Sequence, residues 1–120
     1  MWDGFDKRKF PRLALQCEIL IHSQTQPRPI STMTENVGIG GLCVILDREL
    51  DRFEKCRVRL ELKSPYRPIG CLGQIVWTVP TRQVKSRKFR FDTGIEFLDL
   101  EPDLQASIRS FIETRPASLS

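Results

Sequence analysis

The sequence has no long apolar run, no close pair of cysteines and only one histidine, and each of these shortages excludes something. Spanning a bilayer takes roughly 20 consecutive apolar residues, so membrane insertion is not expected. The charged opening Met1-Trp2-Asp3-Gly4 lacks the apolar region of a signal peptide, and a cytoplasmic location is the expectation. Cys17, Cys43, Cys56 and Cys71 stand singly, whereas a structural zinc site usually draws on CxxC pairs. They read as buried free thiols, and no metal site is expected. His22, where a strand would be ending, has no Ser, Cys or carboxylate motif to make it half of a nucleophile–base pair, and it reads as a surface residue. No catalytic residue emerges, and an enzyme is not expected.

What is present describes one small domain. A chain of 120 residues buries roughly two-thirds of the surface its unfolded form exposes, enough for a single core. Hydrophobic residues at 40% and charged residues at 28% are an ordinary globular balance, which argues against wholesale disorder. The net charge of +4 favours anionic partners without choosing between nucleic acid and a phosphorylated small molecule. The basic residues gather in two places, Lys7-Arg8-Lys9 with Arg12, and Arg82 to Arg90.

Alternation carries the fold. Leu13, Leu15, Cys17, Ile19 and Ile21 occupy odd positions, with Gln16, Glu18 and His22 among the even ones, predicting a half-buried strand. After the proline-containing loop at 24–29, the stretches 30–36 and 42–46 are extended, and Val58, Leu60 and Leu62 alternate with charged neighbours. The segment 47–55 is charged, with Leu50 and Phe53 three apart, and fits either a helical turn or a loop over a barrel end. A turn at Ser64-Pro65-Tyr66 precedes a long strand in which Ile75, Trp77 and Val79 share a side, and Phe89, Phe91, Thr93, Ile95 and Phe97 predict a sixth strand. The period then changes: Leu104, Ile108, Phe111 and Ile112 recur at helical spacing, with Pro102 suited to the first turn and Pro116 ending it. Six strands in hairpin order predict an all-β fold, a six-stranded antiparallel β-barrel with a C-terminal α-helix packed on it. The expected division is a flexible basic leader over 1–12, the barrel and helix over 13–115, and a short tail over 116–120.

Two segments stand out as a binding constellation. In Arg8-Lys9-Phe10-Pro11-Arg12 two guanidinium groups lie four residues apart ahead of the first strand, and Pro11 keeps the tether extended. That spacing spans roughly 13 Å of extended chain, with both positions pointing the same way. The planar fork of arginine suits a phosphate or the O6 and N7 edge of guanine. The second segment, Asn36-Val37-Gly38-Ile39-Gly40-Gly41, sets a short polar side chain before three glycines, which permit positive φ and close approach of a ligand to the backbone. Taken singly, the first segment reads as a solvated basic leader, and the second reads as well as a glycine-rich bulge or hairpin turn.

Together, in this order, they resemble the PilZ domain family, which carries RxxxR before the first strand and [D/N]xSxxG between the second and third. Arg8 and Arg12 fit the first motif, and Asn36 and Gly41 fit the ends of the second. The stretches Gly73 to Trp77 and Gly94 to Leu100 are similar to later family segments. At position 38 the family usually has serine or another small residue; this chain has Gly38, so a hydroxyl contact is lost.

The resemblance implies a receptor for the bacterial second messenger cyclic di-GMP, with Arg8, Arg12, Asn36, Gly38 and Gly41 as ligand-binding residues and Lys7, Lys9 and Gly40 beside them. It further implies no cofactor besides that ligand, and a downstream protein partner that reads the switch. Two alternatives stay open. One is a PilZ-like adaptor with weak or no cyclic di-GMP binding, motivated by Gly38. The lesser one is nucleic-acid binding through Arg82 to Arg90, but the parity of Phe89 and Phe91 assigns them to the core instead of a stacking platform.

Overall fold

Alternating apolar side chains leave each strand one dry face, and burying all those faces together requires a sheet that curls back on itself. In the computed structural model, which describes residues 12–13, 15–62, 65–82 and 89–114, the chain does this with seven strands and one helix. The strands are β1 (Arg12–Leu13), β2 (Glu18–Ser23), β3 (Ile30–Gly38), β4 (Gly41–Leu46), β5 (Lys55–Glu61), β6 (Ile69–Arg82) and β7 (Phe89–Phe97). Helix α1 spans Pro102–Glu113. The antiparallel order β3-β2-β5-β6-β7-β4 closes through pairing of β4 with β3, giving the expected six-stranded barrel, and β1 is a two-residue addition along β3. Ile19, Ile21, Leu42, Val44, Leu60, Ile75 and Ile95 fill the interior.

The predicted first strand is broken in two. Thr34 of β3 is fully buried, and its hydroxyl must find partners inside the protein. It donates to the Leu15 carbonyl at 2.6 Å and accepts the Cys17 amide at 2.9 Å, while the Thr34 amide donates to the Cys17 carbonyl at 2.8 Å. This stitch occupies residues 15–17, so the regular ladder to β3 resumes on either side as β1 and β2.

Beyond Thr34 the inward parity of β3 changes. Its register with β4 shifts between Thr34 and Asn36, so that Thr34 and then Val37 face inward, with exposed Glu35 and half-buried Asn36 between them. A second shift, between Ile75 and Trp77 in the β6–β7 pairing, corrects the expectation that Ile75, Trp77 and Val79 share a side. Ile75 pairs with core Ile95, whereas Trp77 pairs with Gly94, and Val79 is 44% exposed. Trp77 is buried but lies outside the core cluster, its ring packed flat over Gly94.

Within the segment 47–55, residues 47–54 form a loop across one barrel end, with Leu50 buried beneath it, and Lys55 begins β5. Phe53 has φ 71°, a left-handed conformation costing a non-glycine residue on the order of 1 kcal/mol. Phe53 and Glu54 together oppose Ile75: the Phe53 amide donates to the Ile75 carbonyl at 2.6 Å, and the Ile75 amide donates to Glu54 at 2.9 Å. This two-against-one bulge, whose first residue is usually glycine, holds Phe53 in place. Glu54 is buried, and its carboxylate accepts hydrogen bonds from the Ser23 hydroxyl, the Gln24 amide at 2.8 Å, Thr25 and the Asp51 amide at 3.2 Å. One side chain thus ties two loops together.

Helix α1 covers the other end. Ile108 and Phe111 are buried, Tyr66 meets Phe111 edge-on at 5.5 Å, and the Tyr66 and Ser110 hydroxyls are 3.0 Å apart. The Leu98 amide donates to the Leu72 carbonyl and the Leu72 amide to the Asp99 carboxylate, fixing the chain between β7 and the helix against β6.

Two stability predictions follow from these contacts. Burial alone would raise the Glu54 pKa, but hydrogen bonds from Ser23, Asp51 and Thr25 outweigh it and hold the group below its ordinary 4.5. A depressed carboxyl pKa stabilises the fold above the unfolded value, and that contribution disappears as pH falls through the lower folded value. Thermal midpoints of Glu54→Gln should therefore lie below wild type at neutral pH, with the gap narrowing as pH drops below 4.5; a gap independent of pH contradicts this. Separately, a Cβ on Gly94 would lie 2.2 Å from the Trp77 ring. Gly94→Ala should cost about 1–3 kcal/mol in urea unfolding, and an unchanged midpoint would mean that the ring is packed elsewhere.

Candidate functional site

The β3–β4 hairpin carries the glycine segment, and β1 lies alongside it. Arg12 is the register partner of Gly38, and Leu13 that of Val37. The backbone of one predicted arginine is therefore adjacent to the glycine turn, two residues from Asn36. Arg8, Lys7 and Lys9 lie outside the described residues, as does the side chain of Arg12.

No described glycine has positive φ; what Gly41 supplies is close approach. It stands opposite Glu96 of β7, and a Cβ there would sit 2.2 Å from the Ile95 carbonyl oxygen. The Gly40 carbonyl accepts the Phe97 amide at 2.9 Å, anchoring the tip of the hairpin to the end of β7. Gly38 and Gly41 are buried, Asn36 is half-buried and Gly40 is exposed.

Strand register brings further residues to this face that the sequence does not reveal. Asn36 pairs with Cys43 of β4, Cys43 with Gly94 of β7, and Gly94 with Trp77 of β6. These four positions form one transverse row on the outside of the barrel, roughly 14 Å long at about 4.8 Å between strands. The Cys43 thiol donates to the Asp92 carboxylate at 2.7 Å. A glycine within a strand signals close approach, so Gly94 is the one sequence feature that could have pointed to a large side chain above it. Arg90, two residues before Asp92, is half-buried, and its Nε is buried with no hydrogen-bond partner among the described residues.

Other candidate chemistry is quiet. All four cysteines are buried and outside any disulfide, and burial pushes Cys56 up to about 12 and Cys71 up to about 11, with Glu54 and Asp99 adding to the respective shifts, so both remain neutral thiols near neutral pH. His22 is exposed on β2. Among the described residues no group of His, Cys, Asp or Glu side chains is clustered to hold a metal ion, and no helix is long and apolar enough to cross a membrane. A cavity of about 200 Å³ lined by Pro29, Thr32, Ile45, Asp47, Arg48 and Arg90 lies between the ends of β3 and β4 remote from the glycine turn and does not include Asn36.

The same barrel occurs in solved structures. The PilZ domain of YcgR from Escherichia coli, solved with c-di-GMP, superposes with a TM-score of 0.72 at 10% identity, covering 90% of this chain and 90% of that one. The Bacillus subtilis inhibitor of motility MotI/DgrA gives 0.69 at 21% identity over 88% of this chain and 50% of that one. The K. pneumonia MrkH–c-di-GMP complex gives 0.70 at 14% identity over 88% and 51%. The chain spans about half the length of the MotI and MrkH chains. Among curated proteins nothing matches it. A family model of the PilZ domain matches residues 6–114, from within the basic leader to the last turn of α1, and the chain accordingly belongs to the PilZ domain family.

Proposed function

We propose that this protein is a non-enzymatic cytoplasmic receptor for cyclic di-GMP, which turns ligand binding into a change of conformation or of partner. The observation that carries the reading is the β1–β3 register: Arg12 stands opposite Gly38, beside the bulge that turns Asn36 outward. A ligand with two phosphates and two guanines needs forked cations and a surface its rings can approach, and this edge of the barrel combines the two. Family membership supports the reading, as do the structural relatives solved with c-di-GMP.

In the proposed mechanism the leader closes over the ligand. Arg8 and Arg12 engage guanine edges and phosphates, Lys7 and Lys9 add positive charge, and Asn36 with Gly38, Gly40 and Gly41 forms the floor. Closure converts binding into a rearranged N-terminal surface that a partner protein can read. Gly38 offers no hydroxyl, which removes a contact worth about 0.5–1.5 kcal/mol, up to roughly tenfold in affinity. The charge-assisted bonds of the arginines carry the larger share. Gly38 also motivates the second reading, a PilZ adaptor acting through protein contacts alone.

Calorimetry with cyclic di-GMP, using GTP and cyclic di-AMP as controls, distinguishes the two. The receptor reading expects guanine-selective binding that Arg12→Ala weakens by about 1–3 kcal/mol while the fold is retained. No heat at high micromolar ligand would favour the adaptor.

A further inference from the structure

The side of the barrel formed by β2, β5 and β6 has its own pattern of charge. On β5 the core residues Cys56, Val58 and Leu60 alternate with exposed Lys55, Arg57 and Arg59, so three cations stand in line on the outer surface. Their register neighbours are Leu20 and His22 on β2 and Gly70, Leu72 and Gln74 on β6. Within this strip only Arg59 has a carboxylate partner among the described residues, Glu61 at 3.3 Å. Leu20 and Leu72, both half-buried, lie beside Arg59 and Arg57, so apolar surface is interleaved with the charge.

Phe53 stands at the head of this line. It is 60% exposed, and the Arg52 guanidinium lies 4.9 Å from the centre of its ring. The Gln74 side chain donates to its carbonyl at 3.0 Å, and Gln74 is in turn the register partner of Lys55. A large aromatic ring in the left-handed slot of a bulge, where glycine would be strain-free, contributes nothing to the core. Strain of this kind, kept at an exposed position, is what a binding role would account for.

We propose that this strip docks an acidic segment of a partner protein, with carboxylates on Lys55 and Arg57 and an apolar side chain against Phe53. Charge complementarity selects the sign of the partner. The interleaved leucines and the aromatic–arginine pair select a protein over a nucleic acid, since aromatic and arginine anchors set in apolar surface are what protein interfaces use. Single-stranded nucleic acid would instead call for several large stacking rings along the basic track, and among the described residues this strip has only Phe53 and the smaller imidazole of His22. The strip shares no strand with the β3–β4 hairpin and meets the row of Asn36, Cys43, Gly94 and Trp77 only at β6, with Gln74 and Glu96 standing between Lys55 and Gly41; its argument does not depend on the cyclic di-GMP reading.

Fluorescence anisotropy on the full chain tests the proposal. The probes are a labelled helical peptide, with glutamates at i and i+4 and leucines on the adjoining face, and a short oligothymidine. The peptide should bind saturably and more weakly as salt is added. Lys55→Glu combined with Arg57→Glu should weaken it at least about tenfold. Phe53→Gly should also weaken it about tenfold, although removing the left-handed strain raises the thermal midpoint. The cyclic di-GMP isotherm should be the same in all variants. Failure of the peptide to saturate, unchanged peptide binding in either variant, or tighter binding of the oligothymidine would each overturn the proposal.

Discussion

The fold and its candidate site both depend on satisfying one buried hydroxyl. Thr34 faces the barrel interior, and leaving such a group without partners costs about 1–3 kcal/mol. Its solution is to bind Leu15 and Cys17, which interrupts the first strand and leaves β1 to pair separately with the end of β3. The same stretch of β3 contains the bulge that puts Glu35 and Asn36 next to each other on the outside. Regular β-structure through 12–23 and 30–38 would keep alternate facing throughout, and Asn36 would point into the core.

Much of the barrel can be read from the sequence because its strands obey a period of two. Cys56, Val58 and Leu60 identify β5, and Leu104, Ile108 and Phe111 following Pro102 identify α1. Parity is lost where a residue is inserted. Glu35 and Val76 each add one, and no local residue type announces it, which is why Trp77 was expected beside Ile75 and lies outside, over Gly94. The break at 15–17 depends on Thr34, about twenty positions away. Phe53 occupies a slot that sequence rules reserve for glycine, and Glu54 looks like one more surface charge in a charged loop although it is buried.

The candidate site divides the same way. Asn36, Gly38 and Gly41 are legible as a motif, and the register of β1 brings the backbone of Arg12, the last residue of the other motif, opposite Gly38. The reason for glycine at position 41 is legible only in three dimensions, because the Ile95 carbonyl oxygen fills the space that a side chain would need. Cys43 and Asp92 come together through pairing of β4 with β7, strands distant in sequence, and Trp77 reaches Gly94 through the register shift between the consecutive strands β6 and β7. Two outer surfaces result: one on β1, β3, β4 and β7 near the glycine turn, reaching Trp77 in the later part of β6, and one on β2, β5 and the first part of β6 bearing the cation line. A barrel with a rigid, shared core can hold ligand and partner on different sides without either displacing the other.

The most direct test is amide chemical-shift mapping during a cyclic di-GMP titration. The account predicts that the largest changes fall on Arg12 and on Asn36 to Gly41, with Gly94 following and β5 left unmoved. Shifts centred on Lys55 to Arg59, or none around Gly38, would contradict it.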